Sequence, residues 1–450
     1  VRAANLGARS PREPSMRLYS STRATRLLSP ATRRFAPSHS FSTSTATIPA
    51  ADEADTPFAP SPEHRALREL AAQFTASEVE PQGLQFNREE RFNMDLFKRT
   101  GELGLLGVTV DPDYGGAGMD ATASCIVHEE LAASDPAFCL SYLAHSCLFV
   151  NNLARNGSHE QKAKLLPKAC SGELIGGMGM SEPHAGTDVL GMGTRATKLA
   201  DGSWSLTGAK MWITNGAVSD TELGDAFLVY ARTGGPEVKP SKAISLFLVE
   251  KGTPGFSLGQ RLKDKCGMRA SPTAELVFDD CIIPASSMVG DEGGATICMM
   301  RNLEIERVVL AAMAVGLARR SLLAMNTYAN ERIAFGKPLA SFGQIQRHVA
   351  ESYAEYMAGK HYLYQVANRM DLDAAGNRLD TDGVKLFCTT MGKNVADRAM
   401  QVLGGYGYMG EYVVERLWRD SKLLEIGGGT LESHHKNMIR EMAGMDAMAL

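Results

Sequence analysis

Glu306 is the one charged residue in an otherwise apolar row. Met299, Leu303, Glu306, Leu310 and Met313 are spaced by four, three, four and three residues, so they share one face of a predicted helix. A carboxyl group on a core-facing position either pairs with a partner or has a raised pKa, because burial disfavours its charged form. A raised pKa suits a general base near neutral pH. The spacing alone is more often explained by a structural glutamate hydrogen-bonded across a helix pair, and both interpretations stay open here.

Three consecutive glycines, Gly427, Gly428 and Gly429, interrupt a stretch that otherwise has a helical pattern. Glycine costs a helix or strand roughly 0.5–1 kcal/mol relative to alanine, so the triplet needs a reason. Positive φ, a close approach by another group, or a bare loop would each supply one. Since glycine carries no acid or base, any chemistry at this place must come from other residues.

The elements that position these residues follow the order helices, strands, helices. Apolar residues recur at helical spacing over 62–172 and again from 291 onward, and short alternating β-branched runs fill the interval. We predict an α+β protein with a helical N-terminal domain (62–172), a middle antiparallel β-domain (173–290) and a C-terminal helical domain (291–450). Because strands do not alternate with helices, a doubly wound parallel sheet is not expected.

One glycine-rich motif has the spacing of a dinucleotide-binding motif but not the structural context that such a motif requires. Residues 405–410, GYGYMG, satisfy the G-x-G-x-x-G pattern but follow a predicted helix. The nicotinamide dinucleotide motif requires a preceding strand within a βαβ unit. We therefore do not interpret these glycines as a Rossmann fingerprint.

Composition narrows the class of protein. The 450 residues are 44% hydrophobic, which is enough for two or three domains, and the net charge of −4 offers no basic field for nucleic acid. No run approaches the ~20 apolar residues of a membrane-spanning helix. The eight cysteines are scattered without a C-x-x-C or a Cys/His cluster, so we expect reduced thiols and no metal site.

The first 50 residues differ from the rest. They are rich in Arg, Ser and Thr and contain a single acid, Glu13. This composition is typical of an organellar transit peptide, and Met16 is a candidate start residue within it. A basic disordered arm is the alternative interpretation.

Several motifs, taken together and in order, resemble the acyl-CoA dehydrogenases. They cover nearly everything after residue 62: MGMSEPHAGTD (178–188), KMWITNG (210–216), NLEIERVVLA (302–311), NERIAFGKP (330–338), QVLGGYGY (401–408) and RDSKLLEIGGGT (419–430). Within the family, the chain is most similar to the branch that oxidises isovaleryl-CoA, a similarity that SYLAHSCL (141–148) shares.

The resemblance implies a fold and a reaction. Family members have a helical N-terminal domain, a middle β-domain and a C-terminal four-helix bundle, and they usually form tetramers with FAD at domain and subunit junctions. They remove a proton from Cα and a hydride from Cβ of an acyl-CoA, and electrons pass to electron-transfer flavoprotein. For this chain the resemblance implies isovaleryl-CoA oxidation in leucine catabolism, in the mitochondrial matrix.

The resemblance to the family suggests why the three glycines are present. Many members carry their base in a Tyr-Glu-Gly-Thr motif, and matching its end to Gly429-Thr430 places Gly428 at the glutamate and Gly427 at the tyrosine. Glu306 then matches the helix position that supplies the base in the isovaleryl-CoA branch. The N–H of Gly428 would resemble the family's oxyanion donor, and the missing side chain at Gly427 would leave room for a branched acyl tail.

The resemblance also implies cofactor and substrate contacts. Glu304 and Arg307, which are three residues apart and able to pair at the surface or on a ligand, would face the CoA side of the acyl pocket. The implied FAD-binding residues are Met178, Met180, Ser181, Gly186, Thr187, Trp212, Ile213, Thr214, Arg332, Thr430 and Glu432, with Gln401, Gly404 and Gly405 reaching the dinucleotide of a neighbouring subunit. The implied substrate-binding residues are Thr187, Glu304, Ile305, Arg307, Gly427, Gly428 and Gly429.

Three positions depart from the family pattern, and other functions remain open. Gly343 stands where a flavin-contacting Gln is usual, Ile297 replaces a channel Tyr, and His435 replaces an Arg. The alternative enzymes are a long-chain or other short- or branched-chain acyl-CoA dehydrogenase of fatty-acid β-oxidation, and an acyl-CoA oxidase. A flavin-binding scaffold without turnover is the alternative outside enzymes.

Overall fold

A computed structural model describes residues 56–374, 376 and 378–445. The predicted leader, residues 1–50, lies outside the described residues. The rest of the chain follows the predicted order of helices, strands and helices.

The N-terminal domain is helical, and several of its helices begin at capping residues. Ser61 accepts the His64 N–H, Asp135 accepts those of Ala137 and Phe138, and Ser158 forms a capping box with Gln161. The helices are α1 (Pro62–Phe74), α2 (Glu80–Glu89), α3 (Met94–Glu102), α4 (Ala121–Ala132), α5 (Pro136–Leu143), α6 (Asn152–Asn156) and α7 (His159–Ser171). Short π-helical segments, Thr75–Val79 and Ala144–Asn151, join α1 to α2 and α5 to α6.

The middle domain is one eight-stranded sheet. Its strands are β1 (Gly176–Gly179), β2 (Arg195–Lys198), β3 (Trp204–Thr214), β4 (Ala226–Arg232), β5 (Ile244–Glu250), β6 (Phe256–Leu262), β7 (Thr273–Ile283) and β8 (Met288–Val289). The path runs β6-β7-β3-β2-β4-β5-β8, with β1 added beside β4. Most pairs are antiparallel, as predicted, but β1 and β2 both pair with β4 in parallel. The sheet is therefore mixed.

The C-terminal domain is helical apart from one small hairpin. It contains α8 (Ala295–Glu331), α9 (Gly343–Ala367), α10 (Arg378–Leu403), α11 (Val413–Leu424) and α12 (Leu431–Met442), with β9 (Ile333–Ala334) and β10 (Lys337–Pro338) after α8. The glycines at 405–410 follow α10 and begin in a short 3₁₀ turn, Gly404–Tyr408. The rejection of a Rossmann motif is confirmed, because helix α10 and not a strand leads directly into them.

Helix α8 is the central element of the fold. It packs against α4 of the N-terminal domain, β5 of the middle domain, and α9, α10 and α11. Small residues allow the closest approaches: a Cβ on Gly316 would lie 2.1 Å from the Glu129 carbonyl oxygen of α4, and one on Gly392 of α10 would lie 3.0 Å from the Ala314 carbonyl oxygen. Glu306 is thus carried by a helix that neighbours fix on several sides.

In the part of the chain that the structure describes, two helical segments are long and apolar enough to cross a membrane, so the expectation that no such segment exists was wrong. They are Pro136–Asn156 and Ala295–Glu331, and most of each is buried inside the fold. Buried core helices pass the same test of length and composition.

We predict that Gly316→Ala lowers the free energy of unfolding by about 1–3 kcal/mol, because its Cβ would force α8 away from the α4 backbone. Gly343→Ala is the matched control, since a Cβ there meets no atom within 4 Å. Urea titrations of both variants test this. Equal stability of the two would show that the α4–α8 crossing does not need a glycine.

Candidate active site

Glu306 lies at the junction of the three domains. Its charge interacts with Cys147 of the N-terminal domain, Tyr230 of β4 and Lys385 of α10. The side chain is buried, and burial raises the pKa of Glu306 to about 7, with Arg307 and Lys385 acting in the opposite direction. Within the described part of the chain, its buried Oε2 has no hydrogen-bond partner. A carboxyl group in this state can accept a proton near neutral pH.

The glycine triplet lies directly over this carboxyl group. It connects α11 to α12, and Gly428 and Gly429 have φ of +67° and +102°, which favour glycine. A Cβ on Gly428 would be 2.3 Å from Leu310 Cδ1 and 3.6 Å from the carboxyl carbon of Glu306. A Cβ on Gly427 would make only ordinary contacts, the nearest at 3.5 Å. Gly428 therefore has two of the expected reasons for being glycine, a positive φ and the close approach of another group.

The Gly428 N–H is available to a ligand. Of the acceptors in the described ranges, none takes its hydrogen bond, although the two preceding N–H groups, those of Ile426 and Gly427, both bind the Leu423 carbonyl. An unpaired backbone N–H above a buried carboxyl group offers a donor for oxygen and an acceptor for a proton in the same space.

Side chains from α10 and α12 hold the loop. Lys385 Nζ donates to the Gly429 carbonyl at 2.6 Å, and His434 Nε2 lies 2.9 Å from the same oxygen. His434 Nδ1 lies 2.5 Å from Asp382 Oδ1. Thr430 begins α12 by accepting the Ser433 N–H, so its hydroxyl acts as a helix cap. The sequence analysis did not identify Lys385, Asp382 or His434.

The predicted CoA-side residues have other neighbours in the structure. Arg307 and Glu304 are buried rather than at the surface, which corrects that part of the expectation. Arg307 Nε lies 3.2 Å from Asp382 Oδ1, and Glu304 accepts the Gly376 N–H. Ile305 is in the main core, so its side chain is committed to packing.

A second group of predicted residues lies along β1, the segment after it, and the end of β3. Trp212 is 55% exposed and has φ of +61°, where a shift in the β3–β7 register turns the strand. The Met211 N–H binds the Ser181 carbonyl, which brings Ser181 beside Trp212. An exposed indole held by strained backbone next to accessible hydroxyl groups fits a planar aromatic ligand. The other members are buried Met178 and Ile213, half-buried Met180 and Thr214, and exposed Gly186 and Thr187.

A buried ion pair shapes this second group. Lys210 Nζ of β3 lies 2.7 Å from Glu182 Oε1 and 3.2 Å from the Met180 carbonyl. Glu182 also accepts the N–H groups of Gly193 and Thr194 at 2.6 and 3.0 Å. The pair therefore fixes the loop that carries Ser181 and Thr187. Sequence reasoning missed it, although Glu182 and Lys210 both lie inside the quoted motifs.

A third group lies at the other end of α8. Arg332 follows the last helical residue, 26 residues beyond Glu306, so it is about 39 Å away along the helix axis. Arg332 and Gly405 line one open cleft of about 520 Å³. Gln401 and Gly404 are exposed nearby, and a Cβ on Gly404 or Gly405 would meet no atom within 4 Å. Within one chain this group cannot reach the ligand space beside Glu306.

The remaining predicted positions are at the surface. Glu432 is exposed in the first turn of α12, where hydrogen bonds to its own backbone and to Thr430 lower its pKa. Ile297 and His435 are exposed, and Gly343 faces open space. The three departures therefore do not disturb the packing around Glu306.

Comparison with known proteins decides the family. Sequence models of the acyl-CoA dehydrogenase N-terminal, middle and C-terminal domains match residues 61–173, 177–281 and 292–443. The chain belongs to the acyl-CoA dehydrogenase family. It is therefore an FAD-dependent dehydrogenase that acts on acyl-CoA. The exposed Trp212 and the hydroxyl groups beside it fit a flavin.

Relatives act on several acyl groups. The mitochondrial isovaleryl-CoA dehydrogenase of Solanum tuberosum is 40% identical over 378 residues, 84% of this chain and 89% of that one. The mitochondrial 2-methylacyl-CoA dehydrogenase of the same species is 38% identical over 378 residues, with the same coverage of 84% and 89%. Butyryl-CoA dehydrogenase from Megasphaera elsdenii is 32% identical with a TM-score of 0.80, over 84% of this chain and 97% of that one.

We predict that Glu306→Gln is more stable than the wild type at pH 8 by about 3 kcal/mol, and equal to it near pH 4.5. Because burial raises the folded pKa of Glu306 to about 7, the folded state keeps a proton that the unfolded state releases. Wild-type stability therefore falls as pH rises from about 4.5 to 7, and the amide escapes this cost.

Urea unfolding of both proteins across this pH range measures the difference. Glu331→Gln, at an exposed position on the same helix, controls for the loss of a carboxylate. A stability difference between Glu306→Gln and the wild type that does not change with pH would contradict the raised pKa.

Proposed function

We propose that this dehydrogenase oxidises isovaleryl-CoA to 3-methylcrotonyl-CoA in leucine catabolism, with Glu306 as the base. The observation that carries the proposal is the buried Glu306 carboxyl group beneath the Gly428 N–H. Among the described residues, neither Glu306 Oε2 nor this N–H has a hydrogen-bond partner. An α-proton of a thioester is a weak acid, so its removal needs a base and a donor for the developing enolate oxygen. Glu306 and Gly428 supply groups of these two kinds.

Glu306 has the properties that proton removal requires. With its pKa raised to about 7 by burial, an appreciable fraction is ionised at neutral pH, and the ionised form is a stronger base than an exposed glutamate. Little water reaches the carboxyl group, since Glu306 is only 7% exposed and the glycine loop lies beside it. The Gly428 N–H would bind the thioester oxygen and stabilise negative charge there.

The flavin-side residues would hold FAD beside this space. Ser181 and Thr187 would donate to the flavin and pyrophosphate, and Trp212, Ile213 and Thr214 would lie against the ring system. When bound, FAD accepts the hydride from Cβ. The chain's own part is to orient the acyl group between that ring and Glu306, and to hold the proton at a Glu306 carboxylate oxygen.

Preference for a short branched acyl group is supported by the glycine loop and by the relatives. Gly427 has an ordinary φ and room for a Cβ, so backbone geometry alone does not demand glycine there. A missing side chain at this position leaves volume for a branched tail. Isovaleryl-CoA dehydrogenase and 2-methylacyl-CoA dehydrogenase, both named for branched substrates, are among the relatives.

We further propose mitochondrial matrix localisation and electron-transfer flavoprotein as the electron acceptor. The Arg-, Ser- and Thr-rich composition of residues 1–50 and the mitochondrial relatives support the compartment. The acceptor is the usual one of the family.

We predict that isovaleryl-CoA bleaches the bound flavin at near-stoichiometric amounts in an anaerobic titration, and that palmitoyl-CoA does not. Glu306→Gln should retain FAD, but its rate of flavin reduction should fall by about 10²–10⁴-fold, which is what a general base typically contributes. Visible absorbance follows both experiments.

The alternatives give different outcomes. Bleaching by palmitoyl-CoA alone would support a long-chain enzyme, and rapid peroxide formation in air would support an oxidase. No bleaching with either substrate would refute the isovaleryl proposal and favour a scaffold.

We propose that the chain forms a homotetramer in which the Arg332 group contacts the dinucleotide of a neighbouring copy. That group lies about 39 Å along α8 from Glu306. Around it, Phe335 is 96% exposed, Tyr408 80% and Ile333 56%, an apolar surface of the kind that marks protein interfaces.

We predict that Phe335→Glu lowers the molar mass measured by light scattering after gel filtration, and lowers the FAD content with it. Charge in a buried interface is costly, so the assembled form loses stability. Leu199→Glu, a partly exposed apolar residue in the middle domain, is the control. A monomeric wild type with full FAD content would contradict the tetramer.

A further inference from the structure

The Gly429 carbonyl is held by two nitrogen-bearing side chains that no motif predicted. Lys385 Nζ of α10 lies 2.6 Å from the carbonyl oxygen and His434 Nε2 of α12 lies 2.9 Å from it. Both side chains are fully buried. Taking an ammonium group out of water costs several kcal/mol unless it is paired or hydrogen-bonded. The hydrogen bond to the Gly429 carbonyl therefore offsets part of the cost of burying Lys385.

His434 connects the loop to a buried ion pair. Its Nδ1 lies 2.5 Å from Asp382 Oδ1, and its Nε2 faces the Gly429 carbonyl, so both nitrogens face acceptors. Two hydrogen bonds require a proton on each nitrogen, although burial lowers the pKa of His434. Asp382 also pairs with Arg307, the residue that follows Glu306. A chain of contacts thus runs from α8 through α10 and α12 to the glycine loop.

Lys385 contacts the loop, and its charge also acts on Glu306. Its positive charge lowers the pKa of Glu306, in opposition to burial, and burial lowers the pKa of Lys385 itself to about 8. The other charged or titratable groups interacting with Glu306 or Lys385 are Arg307 on α8, Cys147 before α6, Tyr230 on β4, Asp382 on α10, His434 on α12 and Glu425 after α11. Arg307 and Lys385 are the two positive charges that lower the pKa of Glu306, and of these Lys385 also binds the glycine loop.

We propose that Lys385 is a positioning residue for α-proton removal, which holds the glycine loop over Glu306 through the Gly429 carbonyl and stabilises the ionised carboxylate through its charge. This inference rests on the proposed role of Glu306 as the base. It does not depend on which acyl group the enzyme prefers.

The inference assigns two separable effects to one side chain. The hydrogen bond fixes the end of a loop whose Gly428 and Gly429 adopt positive φ, and so fixes where the Gly428 N–H points. The charge favours the ionised form of Glu306 and extends its activity to lower pH. Methionine at 385 removes both effects, while arginine keeps the charge and a donor.

The test is the pH dependence of flavin reduction in single turnover, measured anaerobically with the best acyl-CoA substrate of the wild type. For Lys385→Met we expect the acidic limb of the profile to move up by about one pH unit, because an opposite charge near the carboxyl group is gone. We also expect the limiting rate to fall on the order of 10²-fold, since a displaced donor costs about that much. Lys385→Arg should restore the acidic limb.

Two controls separate this role from a merely structural one. Lys393→Met removes a positive charge from the same helix two turns further along, and should leave the acidic limb in place. Thermal melting and FAD content of each variant check the fold. His434, which also contacts the Gly429 carbonyl, is unchanged in every variant. A structural role alone would lower stability without moving the limb.

An unchanged acidic limb and an unchanged rate in folded Lys385→Met would overturn the inference. So would a shift of the limb that Lys385→Arg fails to reverse. If Glu306→Gln reduces the flavin at the wild-type rate, the proposed base fails instead, and that result is distinct from either outcome at Lys385.

Discussion

Burial of the Glu306 carboxyl group is the constraint on which the rest of the site depends. A carboxylate without a partner in the interior costs free energy, and the chain meets this cost by letting the group hold its proton up to a pKa of about 7. The neighbouring groups influence whether Glu306 is protonated or ionised and what it can bind. Leu310 and the glycine loop exclude water, Arg307 and Lys385 favour ionisation, and the Gly428 N–H leaves a donor free for a ligand oxygen.

Helix α8 connects this site to the rest of the fold. The charge of Glu306 on this helix interacts with Cys147, Tyr230 and Lys385, one from each domain, so all three domains contribute to the electrostatics of the site. The far end of the same helix leads to Arg332 and an exposed apolar surface. One element thus carries both the proposed base and the proposed contact with a neighbouring copy.

Site residues that stand out from their immediate sequence neighbours could be predicted from the sequence. An acid in an apolar stripe and three glycines in a helical stretch can be recognised without a fold, and the structure brings Glu306 and Gly428 together. Lys385, Asp382 and His434 could not be recognised, because they resemble ordinary surface residues until α10 and α12 pack against α8. The burial of Glu304 and Arg307 and the parallel pairs of β4 depend on the same long-range packing.

Deuterium incorporation at C2 of the acyl-CoA in D₂O, followed by mass spectrometry under anaerobic conditions, tests the central claim most directly. It reports removal of the α-proton separately from the redox step. The wild type should exchange this proton and Glu306→Gln should not, at equal FAD content. Exchange at the wild-type rate in Glu306→Gln would place the base elsewhere and contradict the account.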